Sequence, residues 1–451
     1  MKGNQRAAAA QILQPYITKQ APSAPAWRRF LYHSANHVAA WADQAVVSAT
    51  SFLALIMLGR WTDANHLGAY ATAISVLALL LAAQEALITR PYTIQMGQLP
   101  GAPGEHAFSS LVLSVVLSAA SMCVLSAAAL ALSAVGAHRD LAEMTWALAV
   151  TTPFVLTREF ARRFGFAHLK VLHVLIVDGA VAAVNLGLLG WLSWTAQLSA
   201  LTALAATGIS CAVGSLAWLY VARSEFGFRF GLLRTTLKAS WGLGKWLLSG
   251  QIALQVQGYV AYWLTMVIAG AAVTGIYAAC MSIVSFANPM LFGFFNILTP
   301  KSVRALRREG GAGLRRQALF DSLLLFALMS AFCVFVALAG ENVMGFVYPG
   351  AEYQGHRQLL TVLALSALAG AIGAPASIAL ASAGHTRAVA GVMTSTAVLN
   401  VALVWAPMTH WGFLGAAYAV LIAELVGSLG RWIAFLALVP GHARLDSDGS
   451  R

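Results

Sequence analysis

The chain of 451 residues contains 59% hydrophobic and only 10% charged residues, and its formal net charge is +12. Soluble domains carry about 25% charged residues, so this composition excludes an ordinary water-soluble fold. The positive charge does not indicate nucleic-acid binding, because the lysines and arginines lie between apolar runs rather than on one polar face.

The apolar runs predict an all-α integral membrane protein with about twelve transmembrane helices in two six-helix lobes. A helix needs about 20 apolar residues to cross a bilayer, and it satisfies its backbone polar groups internally. Alternating ten-residue strands, which would indicate an outer-membrane barrel, are not visible in the sequence. The predicted spans lie near 41–59, 67–89, 107–135, 141–158, 170–193, 198–222, 243–268, 272–298, 319–340, 358–382, 387–407 and 412–438.

The remaining segments complete the predicted organisation. Residues 1–40 are expected to form a cytoplasmic arm, because they contain no apolar stretch long enough for a signal-peptide core. The N-terminal lobe is placed at 41–222, a cytoplasmic linker at 223–242 and the C-terminal lobe at 243–438. Residues 439–451 form the predicted cytoplasmic tail.

The distribution of positive charge predicts the orientation of the spans. With both termini and the even-numbered loops inside, 24 of the 28 lysines and arginines are cytoplasmic. Arg60, Arg139 and Arg357 then lie outside, and Arg431 lies within the last span. Cytoplasmic loops collect positive charge, and one missed span would invert every later loop. The sequence therefore predicts a multi-pass protein with both termini in the cytoplasm.

The sequence matches itself at an offset of 207 residues without a gap, so that span one aligns with span seven and span two with span eight. Six-span halves begin on the same side of the membrane, which makes the halves parallel repeats. Many transporters use such repeats and place the substrate path between them. Chance recurrence of Gly-x-Tyr-Ala in alanine-rich helices is the alternative. The matching residues are Gln44, Ala54, Ala64, Gly68, Tyr70, Ala71 and Ser75 with Gln251, Ala261, Ala271, Gly275, Tyr277, Ala278 and Ser282.

Three stretches carry a family resemblance: Asp43-Gln44 through Gly68-Ala-Tyr70, residues 343–353, and the segment Gly412-Phe-Leu-Gly-Ala-Ala-Tyr. They resemble the polysaccharide-biosynthesis flippases for lipid-linked oligosaccharides. That family belongs to a superfamily that also contains the multidrug and toxin extrusion (MATE) transporters. The resemblance covers most of the chain and implies a V-shaped pair of lobes that alternates between inward-open and outward-open states.

The same resemblance implies a cargo and a location. The cargo would be a lipid-linked saccharide, which is a polysaccharide repeat unit on a polyprenyl diphosphate, and the protein would move it across the bacterial inner membrane. Membrane lipid, and a polysaccharide polymerase with its assembly proteins, would be the partners. Nucleic acid is not an expected partner.

Three arginines near the inner ends of spans two and four are candidates for binding this cargo. A charge at the bilayer centre costs about 2.5–3.5 kcal/mol on insertion scales, so polar residues inside spans are functional candidates. Arg90, Arg158 and Arg162 lie where the sequence offers few acids at equivalent depth. Guanidinium groups bind diphosphates bidentately, so we expect these residues to contact the diphosphate. Snorkelling to the membrane surface is the alternative for each arginine.

A polar stripe on span seven is a second candidate for substrate binding. Gln251, Gln255, Tyr259 and Tyr262 have spacings of four, four and three, which place them on one helical face. Gln44 begins a poorer version of this stripe on span one. Amide and phenol groups in a cavity can bind sugar hydroxyls, although hydrogen bonding between helices explains such residues equally well.

Asp178, about eight residues into span five, is the candidate for ion coupling. A carboxylate at this depth must be protonated or paired, so it either binds a coupling proton or cation or bonds to a neighbouring helix. The sequence contains no Walker loop, paired catalytic carboxylates or nucleophile elbow. We therefore predict neither an enzyme nor a cofactor, and no metal site.

Two other functions remain open. The first is export of drugs or small cations by a member of the same superfamily. Such exporters favour acidic cavities, whereas the buried acids here are Asp178, Asp321 and Glu424 at most, so the basic balance favours an anionic cargo. The second is a non-transporting membrane partner in a polysaccharide assembly complex. The short outside loops do not favour a glycan polymerase.

Overall fold

The computed structural model describes residues 26–95, 103–134, 139–228 and 230–440. Within these ranges the regular elements are all helices, which confirms the predicted fold class. Most of the predicted N-terminal arm and nearly all of the C-terminal tail lie outside the described residues. The predicted location of the termini and the choice of the inner membrane stay predictions.

Twelve long helices follow one another through the described ranges. Two glycines with positive φ divide continuous helical runs: Gly310 (φ 65°) divides Asn288–Val347 and Gly412 (φ 57°) divides Thr386–Leu438. The helices are α1 (Ala26–Trp61), α2 (Ala64–Gln84, continued by the π-helical turn Glu85–Thr89 and by Arg90–Gln95), α3 (Pro103–Ala134), α4 (Arg139–Ala167), α5 (Val171–Trp194), α6 (Ala200–Ala222), α7 (Leu233–Ala269), α8 (Ala271–Val284, continued to residue 309), α9 (311–347), α10 (Arg357–Ser382), α11 (386–411) and α12 (413–438).

Ten segments of the described chain are long and apolar enough to cross a membrane. One of them, Ala271–Val347, has 77 residues and would be about 115 Å long as a single helix. It therefore holds two crossings, α8 and α9. α4 is long enough, with 29 residues, but charged side chains such as Glu143 and Arg158 lower its hydropathy. Together these helices account for the twelve predicted spans.

The surface of the helical assembly is suited to lipid. Large apolar side chains stand exposed around its perimeter, including Val221 (69% exposed), Val267 (79%) and Leu338 (72%). Soluble monomers rarely expose contiguous apolar surface of this extent. The protein is therefore a multi-pass membrane protein.

Local signals define the ends of several helices. The Asp63 side chain accepts a hydrogen bond from the backbone N–H of His66 and so caps the start of α2. Ser199 and Thr202 form a capping box at the start of α6. Gly270, with φ of 86°, ends α7 in a conformation that other residues rarely adopt.

α2 and α8 cross in direct backbone contact near the α1–α2 turn. A Cβ atom on Gly68 would lie 2.0 Å from the carbonyl oxygen of Ala271, and one on Gly275 would lie 1.9 Å from that of Ala64. The offset of 207 residues exchanges these two contacts, since it aligns Ala64 with Ala271 and Gly68 with Gly275. A contact that maps onto itself in this way lies on a two-fold pseudo-axis. The crossing therefore confirms the predicted parallel repeat.

We call the end that holds the α1–α2 turn the outer end, following the predicted topology. Here the guanidinium of Arg60 donates to the carbonyl oxygen of Phe346 at 2.9 Å. The carboxylate of Glu352 accepts a hydrogen bond from the backbone N–H of Ala64 at 2.7 Å. These contacts join the two lobes, and together with the α2–α8 crossing they close the outer end.

Candidate functional site in the N-terminal lobe

Two arginines on α4 and two aspartates on neighbouring helices form the centre of an ion-pair network. Arg158 and Arg162 are four residues apart and so project from one face of α4. Arg158 Nη2 lies 2.8 Å from Oδ1 of Asp178 on α5, and Arg162 Nε lies 3.0 Å from Asp178 Oδ2. Arg162 also donates to Oδ2 of Asp43 on α1, at 2.7 Å from Nη2 and 3.1 Å from Nε. The network thus ties α1, α4 and α5 together.

The centre of this network is buried. The side chain of Asp43 is 0% exposed and that of Asp178 is 1% exposed, while those of Arg162 and Arg158 are 11% and 15% exposed. A buried charge without a partner costs several kcal/mol. These buried side chains therefore need their ion pairs for the protein to be stable, unlike ion pairs on an exposed surface.

A second layer of charges extends the network towards α2. Arg163 Nε lies 2.8 Å from Oε1 of Glu159, and its Nη2 lies 3.3 Å from Oε2 of Glu85. The other oxygen of Glu85 accepts from Arg90 at 2.7 Å. Glu85 begins the π-helical turn of α2, an irregularity that is frequent at functional positions.

The network is balanced in formal charge. Each of α1, α2, α4 and α5 supplies one carboxylate, so the expectation of few acids at this depth is wrong. The assignment of Arg90, Arg158 and Arg162 to a cargo diphosphate stays a prediction, and such an anion would have to displace a carboxylate that is already paired. The members of the network are Arg90, Arg158, Arg162, Arg163, Asp43, Glu85, Glu159 and Asp178.

The two central carboxyl groups have spare acceptor capacity. Asp43 Oδ1 and Asp178 Oδ2 are buried without a hydrogen bond from the described residues. Asp178 Oδ2 is in ion-pair contact with Arg162 Nε but is not aligned for a hydrogen bond. Arg158 Nε is likewise buried without an acceptor among the described residues. A proton added to either carboxyl group would supply a donor beside the two free carboxyl oxygens. The arrangement can therefore hold a proton beside its two arginines.

Gln44 is drawn into the network from α1. Its Oε1 accepts from Nη2 of Arg162 at 3.2 Å, and its Nε2 donates to the hydroxyl of Ser48 one turn later at 3.2 Å. The structure therefore brings Gln44, which the sequence placed among cargo ligands, next to Arg162. It also shows that Asp43, which the sequence marked only as part of a family motif, belongs to the site.

The α7 stripe lies apart from this network. Gln251, Gln255, Tyr259 and Tyr262 are all half-buried. The ring of Tyr262 lies 5.9 Å from that of Tyr259 and 5.1 Å from that of Tyr277 on α8. The stripe thus offers two amides and an aromatic cluster with no formal charge, and its role in binding stays a prediction.

A polar cluster in the C-terminal lobe was missed in the sequence. Gln257 Nε2 on α7 donates to a carboxylate oxygen of Glu424 on α12. The second oxygen of Glu424 lies 3.2 Å from Nη2 of Arg431, which is two turns further along α12. Gly370 and Gly373 on α10 leave room for this pair, since added Cβ atoms would lie 3.1 Å from Glu424 and 2.7 Å from Arg431. The seven-residue spacing of Glu424 and Arg431 is the signal that would have found it.

We expect Glu424→Ala to lower the free energy of unfolding by about 2–3 kcal/mol, because it leaves the mostly buried guanidinium of Arg431 without its carboxylate. Chemical denaturation of the purified protein in detergent measures this change. Glu309→Ala is the matched control, because Glu309 and its partner Arg316 are 49% and 77% exposed and such pairs contribute about 0–1 kcal/mol. Equal losses in the two variants would show that Glu424 contributes no more than a surface acid.

The described part of the chain offers no group of three or more His, Cys, Asp or Glu side chains arranged to hold a metal ion. The four cysteines are free thiols, and three of them are buried within helices. A cation that entered the network would compete with arginines for every carboxylate there.

The sequence matches no protein-family model and no curated protein. Its fold matches solved structures. An inward-facing multidrug resistance MATE family transporter of the MOP superfamily superposes with a TM-score of 0.72 at 14% identity, over 87% of this chain and 96% of that chain. This chain has the two-lobe fold of the MATE transporters. The resemblance to the polysaccharide flippases is thus supported for the fold, and the cargo it implies stays a prediction.

Two other solved structures share this fold. An outward-facing MATE transporter superposes with a TM-score of 0.59 at 14% identity, over 88% of this chain and 92% of that chain. A MOP superfamily transporter from Pyrococcus furiosus gives 0.61 at 14% identity and the same coverage, and the reverse polarity of its binding pocket is taken to suggest a different function. One fold therefore accommodates pockets of opposite polarity, so the fold alone does not identify the cargo.

Proposed function

We propose that the protein is a proton-coupled exporter that moves a small amphipathic molecule by alternating access. The balanced network carries this proposal, because it contains two buried carboxyl groups with spare acceptor atoms and no surplus of positive charge for an anionic cargo. Its fold, shared with multidrug transporters, supports the same function. Export of a small molecule, the alternative function above, is thus preferred to flipping of a saccharide.

The closed outer end supports an inward-facing state for this conformation. The lobes meet there through the α2–α8 crossing and the Arg60 and Glu352 contacts. The larger TM-score to the inward-facing than to the outward-facing MATE structure agrees with this assignment. The cargo would therefore enter from the cytoplasm and leave after the outer contacts separate.

Protonation of the Asp43 and Asp178 pair is the proposed coupling step. A proton on Asp43 removes the charge that holds Arg162 to α1, and the guanidinium keeps its contact with Asp178 on α5. The tie between α1 and α4 is weakened, so α1 gains freedom to move relative to the rest of the lobe. A change in one such contact can bias two arrangements of packed helices.

The α7 stripe supplies the proposed contacts with cargo. The rings of Tyr259 and Tyr262 can bind an organic cation through cation–π attraction, which contributes about 0.5–2 kcal/mol. The amides of Gln251 and Gln255 can accept or donate hydrogen bonds without selecting one sign of charge. Together they suit an amphipathic molecule with one polar group.

Asp178→Asn, which removes one of the two carboxyl groups proposed to share the coupling proton, tests the proposed coupling. In proteoliposomes with an imposed pH gradient, we expect wild-type protein to transport a fluorescent lipophilic cation and the variant to be at least tenfold slower, because an amide cannot exchange the coupling proton. Asp321→Asn is the matched control, since Asp321 is also 1% exposed but lies in the C-terminal lobe beside Lys301. Transport that needs no pH gradient, or equal loss in both variants, would contradict proton coupling at this pair.

Flipping of a lipid-linked saccharide is the second candidate, and the mostly buried arginines of α4 favour it. If a diphosphate replaced the carboxylates, each arginine would keep charge-assisted hydrogen bonds of about 1.5–3 kcal/mol. Arg158→Lys lacks the planar fork and should then slow translocation of a fluorescent lipid-linked saccharide at least tenfold. Transport of that substrate without a pH gradient would favour this candidate, and its polymerase and assembly partners would follow from it.

A further inference from the structure

A crevice opens on the perimeter of the N-terminal lobe between α4, α5 and α6. Its volume is about 370 Å³, within the range of about 300–1,000 Å³ of small-molecule sites. Its walls are mainly apolar, and several wall residues face the membrane, such as Ile176 (62% exposed) and Val213 (50%). Phe164 and Trp218 form an aromatic wall, with ring centroids 5.6 Å apart. The crevice is therefore open to lipid and shaped by rigid helices.

The mouth of this crevice carries one ion pair. Lys170, just before α5, and Glu225, just after α6, both line it, with Lys170 Nζ 2.5 Å from Glu225 Oε1. Their side chains are 41% and 31% exposed, so both remain accessible to a ligand. The exposed ring of His173 lies on the same rim. The mouth thus presents opposite charges side by side at the predicted inner surface of the membrane.

The far end of the crevice reaches the ion-pair network, because Arg162 and Asp178 are among its lining residues. Between mouth and network the walls are mainly apolar over the segment from Lys170 to Asp178, which is about two helical turns. An acyl chain fits such a path, whereas a small polar solute would find no partner along it. The occupant must therefore be apolar in the middle and charged at the inner surface.

We propose that this crevice binds a zwitterionic aminophospholipid of the inner leaflet. One acyl chain lies along α5 and α6 against Trp218, the phosphate accepts from Lys170, and the headgroup ammonium donates to Glu225. The balanced charge at the mouth favours this headgroup over an anionic one, which clusters of several basic residues attract. The bound chain excludes water from the lateral side of the Arg162 and Asp178 contact. The proposal does not depend on the cargo or on proton coupling.

The test measures which lipid the full-length protein retains. The protein is reconstituted in nanodiscs that contain equal amounts of phosphatidylethanolamine and phosphatidylglycerol. It is then released into detergent, and the lipid that stays bound is identified by native mass spectrometry. We expect wild-type protein to retain phosphatidylethanolamine in at least threefold excess. Ala217→Trp, which fills the crevice, should reduce the retained lipid at least threefold. Val334→Trp is the control, because Val334 is 57% exposed on α9, away from the crevice. Lys170→Ala should reduce retention, and Lys238→Ala on the exposed start of α7 should not.

A second measurement keeps the proposal testable if Ala217→Trp does not fold. Brominated acyl chains quench nearby tryptophans, so brominated phosphatidylethanolamine should quench wild-type protein more than Trp218→Phe at equal lipid. Equal quenching of the two proteins, or equal retention of lipid by Ala217→Trp and Val334→Trp, would overturn the site. A preference for phosphatidylglycerol would overturn the zwitterionic assignment.

Discussion

Arg162→Ala is expected to lower the free energy of unfolding by about 3–5 kcal/mol, the range for breaking a buried ion pair. Its guanidinium is the only cation within 4 Å of Asp43 among the described residues, and Asp43 is 0% exposed. Asp178 would keep Arg158, but Asp43 would be left as an uncompensated carboxylate. Denaturation in detergent, followed by circular dichroism, measures the loss.

Two further variants separate the ion pair from general damage. Arg90→Ala should cost about 0–1 kcal/mol, because Arg90 is 45% exposed and its partner Glu85 keeps Arg163. Asp43→Asn in the Arg162→Ala background should recover part of the lost stability, since an amide is less costly to bury than a carboxylate. If the double variant is no more stable than Arg162→Ala, the loss does not come from an unpaired Asp43.

Hydropathy and charge predicted the fold because the bilayer constrains both. Every span must be apolar and helical, and the charge count rejects a wrong number of spans. α4 shows the limit of hydropathy, since the side chains that lower it, including Arg158 and Arg162, are those that build the site. The break at Gly310 also shows that a loop predicted between spans can be a helical kink. These details depend on packing between helices rather than on composition.

The sequence predicted individual residues of the candidate site but not how they pair across helices. The sequence identifies charges within spans one at a time, so it offered Arg158 and Arg162 as cargo ligands and Asp178 as a separate candidate for ion coupling. It does not reveal that Asp43, 119 residues from Arg162 along the chain, lies against the same guanidinium. Pairing across helices decides whether an arginine is free for an anion or already neutralised. The case for an anionic cargo depends on that pairing, and the diphosphate assignment stays a prediction.

The α2–α8 crossing is expected to control the closure of the outer end. An alternating-access transporter must separate these helices to open its outer end, and must bring them back to close it. The closed state here needs direct contact between backbones, which only residues without a Cβ atom allow at Gly68 and Gly275. The two glycines lie beside the pseudo-axis, where the two lobes approach each other most closely at this end. They are therefore placed to act as the seal of the outer end.

Gly275→Ala is expected to oppose outer closure, because its Cβ would lie 1.9 Å from the carbonyl oxygen of Ala64. Overpacking of this kind costs about 1–3 kcal/mol, which shifts a two-state equilibrium roughly 5–150-fold. Spin labels at Trp61 and Phe346, in a background without the four native cysteines, should report longer outer-end distances, and transport should fall at least fivefold. Gly293→Ala, where the added Cβ has no neighbour within 4 Å, should leave both unchanged. Wild-type distances in Gly275→Ala would show that the crossing does not control closure.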